Sequence, residues 1–386
     1  MRGFHSDKPR TGHLGAAELT EDERRLGRGL GLSRRQLLAA STGLAAAGVT
    51  AGALGGLPSP AVAANGVLVP PGKRGIILYT VRDAIGRDPL ANDQPSGFKE
   101  VLTYLAGLGY QQIEFAGYTQ HANAEGGANL NSLAGAQLLR GWLDDNGLEA
   151  EGNHGTIPGT INATTLAAFD RDCEIATVLG LGHVGTGGDP TGSNLKSDWD
   201  AAAERWNILG ERAMNNFGLK LYTHNHDVAY DFLRDSPDAS GALTRSSGIR
   251  KLPYFISQTS PDYVWLEMDI YWAHVAQHRF RTYTAPDGST RTDVLDPLAV
   301  VNAQPIRFPL FHAKDGARTG EAPGVGSGYT MVPFGTGDID YRTFFSRMGA
   351  KGYHNPMYEQ DNAGSYGQGS LVNSQISYDN MAALRG

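Results

Sequence analysis

From residue 75 onward, short apolar runs alternate with stretches in which apolar side chains recur at helical spacing. The runs at 75–81, 111–115, 149–153, 183–185, 219–223, 264–268, 308–311 and 352–358 predict strands. Segments 98–108, 134–146, 166–179, 199–215, 295–301, 341–348 and 371–384 predict amphipathic helices. Several close on glycine, as in Gly107-Leu108-Gly109, Asn146-Gly147 and Phe217-Gly218, where a left-handed residue ends a helix before the next strand. Eight such βα units predict an α/β fold, a single (β/α)8 barrel. An open doubly wound sheet fits less well. No Gly-x-Gly-x-x-Gly follows the first strand, and Gly185-Thr186-Gly187-Gly188 in the fourth unit reads as a tight βα loop. Longer loops at 118–133, 227–261, 278–294 and 317–336 follow strands, which places them on the C-terminal face where barrel pockets are built.

The first 63 residues follow another pattern. Ser33-Arg34-Arg35-Gln36-Leu37-Leu38 leads into an Ala/Gly-rich run at 37–57 that closes on Ala61-Val62-Ala63. That order is a twin-arginine signal peptide at 1–63, with a small-residue cleavage site, ahead of one barrel domain at 64–386. Seven Gly and Thr residues between Ser41 and Gly56 make the run too weakly hydrophobic for a retained anchor. The expected destination is the periplasm or the extracellular space, reached through the twin-arginine translocation machinery. That route carries folded proteins and suits a chain that acquires a bound group first. The chain has 33 Lys/Arg and 40 Asp/Glu, a net −7, and without the leader 25 stand against 35, a net −10. With no basic cluster outside the N-terminus, duplex nucleic acid is an unsuitable partner. The single cysteine, Cys173, excludes an internal disulfide and is expected to pack as a small apolar residue within a helix.

Metal-capable or ionisable residues stand at strand end after strand end: Glu114, His154, His183, the pair His224 and His226, Asp269, His312 and Glu359. Carboxylates and imidazoles crowded at one barrel mouth would cost several kcal/mol in desolvation and repulsion unless a cation offset them. A His/Asp/Glu set without cysteine suits one divalent ion of hard or borderline character, Mn, Mg, Co or Zn. Glu267/Asp269 and His224/His226 have period two, so both members of each pair point inward. Asp269, nearer the strand end, is the better ligand candidate of its pair, whereas strand five leaves the choice between its two histidines open. Tyr79 and Arg82 at the mouth of strand one, with Trp272 as a stacking platform, are candidates for substrate contact together with His154, His183 and His226. Arg82 also has Asp83 beside it for a local ion pair.

The ordered segments ILYTVRD, IEFAGY, THNHD, LEMDIYW, FHAKDG, PFGTGDIDY and YEQD resemble the sugar phosphate isomerase/epimerase family, with its xylose isomerase-like TIM barrel, and its exported branch in particular. The resemblance spans nearly all of 75–384. It implies one divalent ion held at the ends of strands five to eight, with Asp269, His312 and Glu359 matching strands six to eight. Strand five departs, reading His224-Asn225-His226 where Glu-Asn-His is common. A proton shuttle between two ligand glutamates is therefore in doubt, and Glu114, His226 or Lys314 would have to supply the missing carrier.

The chemistry this predicts is a divalent-metal-dependent sugar isomerase or epimerase that removes a proton next to a carbonyl. Glu359 is the candidate base and Lys314 the cation for the enediolate oxygen. Export and the missing strand-five glutamate favour an alternative, a lyase or hydrolase that cleaves 3-keto-glycosides. A non-catalytic carbohydrate-binding barrel is a third reading. In each, the partner is a small-molecule sugar or keto-glycoside. A related barrel branch that cleaves abasic DNA with three metals is disfavoured by the acidic charge.

Overall fold

The computed structural model describes residues 66–319 and 328–386, so the leader read at 1–63 lies outside the described residues. Eight parallel strands form the central sheet: β1 (Gly75–Ile77), β2 (Gln112–Phe115), β3 (Glu149–Asn153), β4 (His183–Thr186), β5 (Lys220–His224), β6 (Val264–Asp269), β7 (Leu310–Ala313) and β8 (Asn355–Tyr358). Their order, β3-β2-β1-β8-β7-β6-β5-β4, is that of a barrel, brought nearly to closure by a parallel bridge between His154 and Gly185. The (β/α)8 expectation is met.

Helices α1 (Gly97–Leu108), α2 (Leu133–Asp145), α3 (Ala163–Leu179) and α4 (Lys196–Phe217) follow the early strands. In α4 the buried residues Trp199, Ala202, Ala203, Trp206, Leu209 and Ala213 fall at spacings of three and four, so one stripe faces the sheet. The start of α3 is fixed by a capping box between Asn162 and Thr165. Gly109 (φ 107°) and Gly218 (φ 71°) close α1 and α4 in the left-handed region, as the Gly punctuation predicts. Cys173 is fully buried in α3.

Three expectations need correction. The apolar run 75–81 is strand only to Ile77, after which Leu78–Val81 forms a 3-10 turn. Leu78, Thr80 and Val81 stay buried in that turn, and the Thr80 hydroxyl ties it to the Tyr358 carbonyl (3.4 Å) and the Gln360 amide (3.2 Å). A short apolar run reads alike as buried strand or buried turn, and the pattern cannot separate them. Strand eight begins at Asn355 rather than 352, because the chain first turns through Gly352 (φ 80°). The loops after strands five and six contain α5 (Lys251–Gln258) and α6 (Ile270–Arg279), and α6 starts directly after β6, with Asp269 both closing the strand and capping the helix. Of the expected helices, 295–301, 341–348 and 371–384 form as α7 (Pro297–Ala303), α8 (Tyr341–Arg347) and α9 (Ser370–Ala383).

The main apolar core lies between barrel and helices, while Tyr222, Trp265, Leu310 and Met357 make a separate apolar plug. Polar side chains fill the rest of the interior toward the C-terminal mouth. Among the described residues, no helix is long and apolar enough to cross a membrane.

Candidate active site

Strand register sorts the inward polar residues into layers. Asp269 is paired with His312 on the neighbouring strand, while Glu267 is level with Leu310, one inward-facing position deeper. Both members of the Glu267/Asp269 pair point into the barrel, as period two requires, and both are essentially unexposed.

The outer layer gathers His224, Asp269, His312 and Glu359, whose ligand-capable atoms all lie within 4.8 Å of one another. His312 Nδ1 is 2.7 Å from Glu359 Oε2 and 3.9 Å from Asp269 Oδ2, and His224 Nε2 is 3.3 Å from the same Asp269 oxygen. His224 Nδ1 is buried without a hydrogen bond, while His312 Nδ1 and Glu359 Oε2 face one another as an ion pair. Two imidazoles and two carboxylates converging in so small a buried space are the donor types a divalent cation takes. The donor set therefore fits a divalent ion, and it settles which strand-five histidine joins the cluster: His224 does. His226 lies above it, half-buried, with its ring 5.1 Å from His224 and 5.5 Å from Trp272 and its amide donating to Asp189 Oδ1 (3.1 Å).

Asp269 is held by three neighbours. Its Oδ1 caps α6 through the Trp272 amide (2.9 Å), and Asn225 brackets its backbone, accepting from the Asp269 amide and donating to its carbonyl at 3.2 Å each. Lys314, with 2% of its side chain exposed, places Nζ 2.9 Å from Asp269 Oδ2, 2.6 Å from Glu359 Oε2 and 3.0 Å from Asp361 Oδ1. Burial pulls its pKa down, but these three carboxylates outweigh that and hold it well above the usual lysine range. Burial likewise opposes the charge on Glu359, yet His312 and Lys314 keep its pKa well below the usual carboxylate range. His224, desolvated and only partly compensated by Asp269, is pushed down to about 4, which leaves it neutral with a lone pair available at neutral pH.

The inner layer holds Glu114, His154 and Glu267. His154 Nε2 is 2.8 Å from Glu267 Oε2 and 3.3 Å from Glu114 Oε1. His312 turns its other nitrogen here, with Nε2 3.0 Å from Glu114 Oε2 and 3.1 Å from Glu267 Oε1. The Tyr222 hydroxyl donates to Glu114. Burial and the neighbouring Glu267 charge raise the Glu114 pKa to about 7, while His312 and His154 overcome burial at Glu267 and hold its pKa low.

Of the residues expected at the site, Glu114, His154, His224, Asp269, His312, Lys314 and Glu359 come together. His183 does not. It begins β4 rather than ending it, and packs 5.3 Å from the Trp265 ring with Nδ1 on the Glu151 carbonyl (3.1 Å), so its place is the barrel plug. Glu114 is completely buried beneath His312, on the side away from the mouth. At the rim, Arg82 lies 3.9 Å over the exposed Tyr79 ring and donates to the carbonyls of Tyr79 and Asp361 (2.7 Å each). Asp83 pairs with Arg87 (3.7 Å), not with Arg82. Trp272 is half-buried against Tyr271, with Lys314 Nζ 5.6 Å from its ring centre. Glu267, Tyr222, Asn225 and Asp361 are site residues that strand ends alone do not reveal. For Glu267 the signal was its inward period-two pairing with Asp269, and the others had none.

An eight-stranded parallel barrel that gathers histidines and carboxylates at its C-terminal mouth defines a metal-competent barrel of the α/β class. Residues 102–364 match the xylose isomerase-like TIM barrel family, and the chain belongs to it. The fold is similar to two structures of sugar phosphate isomerase/epimerase from Parabacteroides distasonis. One has 20% identity and a TM-score of 0.56 over 84% of this chain and 98% of that one. The other has 17% identity and a TM-score of 0.55 over 79% and 96%. A probable 3-DHS dehydratase from Bacillus anthracis shares 13% identity with a TM-score of 0.50 over 80% and 97%. Comparison with curated protein sequences finds no match.

Proposed function

We propose that this protein is a divalent-metal-dependent sugar isomerase or epimerase that works by removing a proton from a carbon beside a carbonyl. The observation that carries the reading is the outer cluster, four buried side chains from adjacent strands whose ligand-capable atoms lie within 4.8 Å of one another. His224, Asp269, His312 and Glu359 would hold the ion, which when bound supplies Lewis-acid polarisation of a carbonyl and its neighbouring hydroxyl. Glu359 is the base. It is the more exposed of the two carboxylates in the set, 5% against 0% for Asp269, and His312 and Lys314 keep it ionised. Lys314 already carries three carboxylate partners, so it balances charge and positions Glu359 and Asp269 instead of serving as the oxyanion donor expected from its sequence position. Trp272 and Tyr79 offer aromatic faces at the rim for an apolar sugar face.

Elimination of a substituent from a 3-keto-glycoside is the second reading, favoured by His224 standing where a second opposed carboxylate would be needed. Among the described residues, the mouth cations Lys314 and Arg82 are both engaged, which favours a sugar without phosphate. A twin-arginine leader and action outside the cytoplasm accord with that substrate class. The test is a panel of ketoses and 3-keto-glycosides incubated with the metal-restored mature protein, with products resolved by NMR. A new epimer or aldose supports the first reading and a released aglycone the second. If nothing in the panel turns over, the carbohydrate-binding barrel takes their place.

A further inference from the structure

The inner layer is a second convergent donor set, and it goes beyond the function proposed above. Four ligand-capable atoms from Glu114, His154, Glu267 and His312 lie within 4.8 Å of one another, with all but His154 unexposed. One hydrogen bond per imidazole does not use up the set: His154 Nε2 bonds Glu267 Oε2 and His312 Nε2 bonds Glu114 Oε2. Each imidazole presents one nitrogen to two carboxylates: His154 Nε2 to Glu267 (2.8 Å) and Glu114 (3.3 Å), His312 Nε2 to Glu114 (3.0 Å) and Glu267 (3.1 Å). One ring N–H has one proton to give. Glu267 Oε1, on a side chain with no exposure, is left without any hydrogen bond although it faces His312.

The surroundings are shaped to this set. A Cβ at Gly187 would stand 2.6 Å from His154 Nδ1, and one at Gly185 would stand 2.4 Å from the Tyr222 carbonyl oxygen and 2.6 Å from its ring. The Gly185-Thr186-Gly187-Gly188 loop thus leaves room for one member of the set and for the tyrosine whose hydroxyl donates to Glu114. A hydroxyl that donates to a ligating carboxylate is the usual support for such a ligand.

We propose that Glu114, His154, Glu267 and Nε2 of His312 form a second divalent-metal site beneath the first, with the His312 imidazole between the two. Two nitrogens and two carboxylate oxygens suit Zn, Co or Mn. Four protein ligands make the site closed, so its ion balances charge and fixes His312 without offering a position to substrate. With both sites filled, His312 is an imidazolate whose two ring protons have gone to solvent, one nitrogen serving each ion. The half-buried His154, 13% exposed, is the route of entry.

The test is metal stoichiometry. The mature protein is stripped with a chelator, reloaded with Zn²⁺ or Mn²⁺, desalted and measured by mass spectrometry, alongside E267Q, H154A, G187A and D269N variants. The inference expects two equivalents per chain, one in E267Q, H154A and G187A, and one in D269N. A wild-type protein that saturates at one equivalent, retained by E267Q and H154A but lost in D269N, overturns the inner site and leaves the function proposed above intact. One equivalent lost in E267Q and retained in D269N upholds the inner site and removes the outer one. Two equivalents in every inner-set variant place the second ion elsewhere and overturn the inference. The wild-type count stands even if a variant fails to fold.

Discussion

Replacing Lys314 with methionine separates the charge balance at the barrel mouth from its packing. The ammonium is 2% exposed and lies within 3.0 Å of carboxylate oxygens on Asp269, Glu359 and Asp361. Methionine keeps most of the stem volume and removes the charge, leaving three carboxylates to face one another. Removing one partner of a buried ionic cluster costs about 3–5 kcal/mol. With an unfolding entropy of about 2.1 cal/mol/K per residue over roughly 320 residues, that is about 4–8 °C in Tm. Those figures apply to metal-free protein. A bound divalent ion brings two positive charges to Asp269 and Glu359, so the loss in Tm should fall to about half or less. Calorimetry on wild type and K314M in EDTA, then in a saturating divalent ion at fixed concentration, measures both losses. An unchanged Tm in EDTA, or equal losses in the two conditions, would refute the assignment of Lys314 as the cation that stands in for the ion.

Three further outcomes follow from named contacts. Asn225→Ala removes both hydrogen bonds that bracket the Asp269 backbone, and calorimetric titration should find metal affinity at the outer set weakened about 10–100-fold; a change under twofold would sink the bracketing role. Tyr222→Phe strips Glu114 of its hydroxyl donor and should cost about 1–3 kcal/mol in urea unfolding, with no loss expected if the hydroxyl is idle. His183 is buried and pushed down to about 4 by that desolvation, from 6.5 for a free imidazole, so the folded chain binds fewer protons there than the unfolded chain between those values. The stability it protects is complete above about pH 6.5 and is lost as pH falls, about 2–3 kcal/mol by pH 4.5. His183→Gln should be less sensitive to acid than wild type by that amount, and an identical decline would contradict the assignment.

The barrel was legible because eight apolar runs separated by helical stripes leave few other closures. The four outer-set residues were legible because each stands within one residue of the end of a strand: His224, Asp269, His312 and Glu359. The same rule failed at His183, which opens the predicted run 183–185 and opens β4, where it pairs with Lys220 at the foot of β5. The strand-end rule ranks Asp269 above Glu267, whereas barrel layers repeat every second residue and the deeper layer is also polar here. The sequence offers Lys314 as the cation for an enediolate oxygen, since it gives no count of the carboxylates that surround it. The helices α5 and α6 were hidden for a different reason. One is short, and the other shares Asp269 with the end of its strand, so its cap residue reads as a strand end rather than a helix start.

The central claim, proton removal beside a carbonyl by Glu359, is tested most directly by solvent hydrogen exchange. Metal-loaded mature protein is incubated in D2O with a ketose and with a 3-keto-glycoside, and the carbon next to the carbonyl is followed by NMR in wild type and E359Q. The account predicts deuterium at that carbon in at least one substrate, lost on chelation and slowed at least about 100-fold in E359Q, the lower end of what a positioned base contributes. Exchange that persists undiminished in E359Q, or no exchange in either substrate with metal restored, would contradict it.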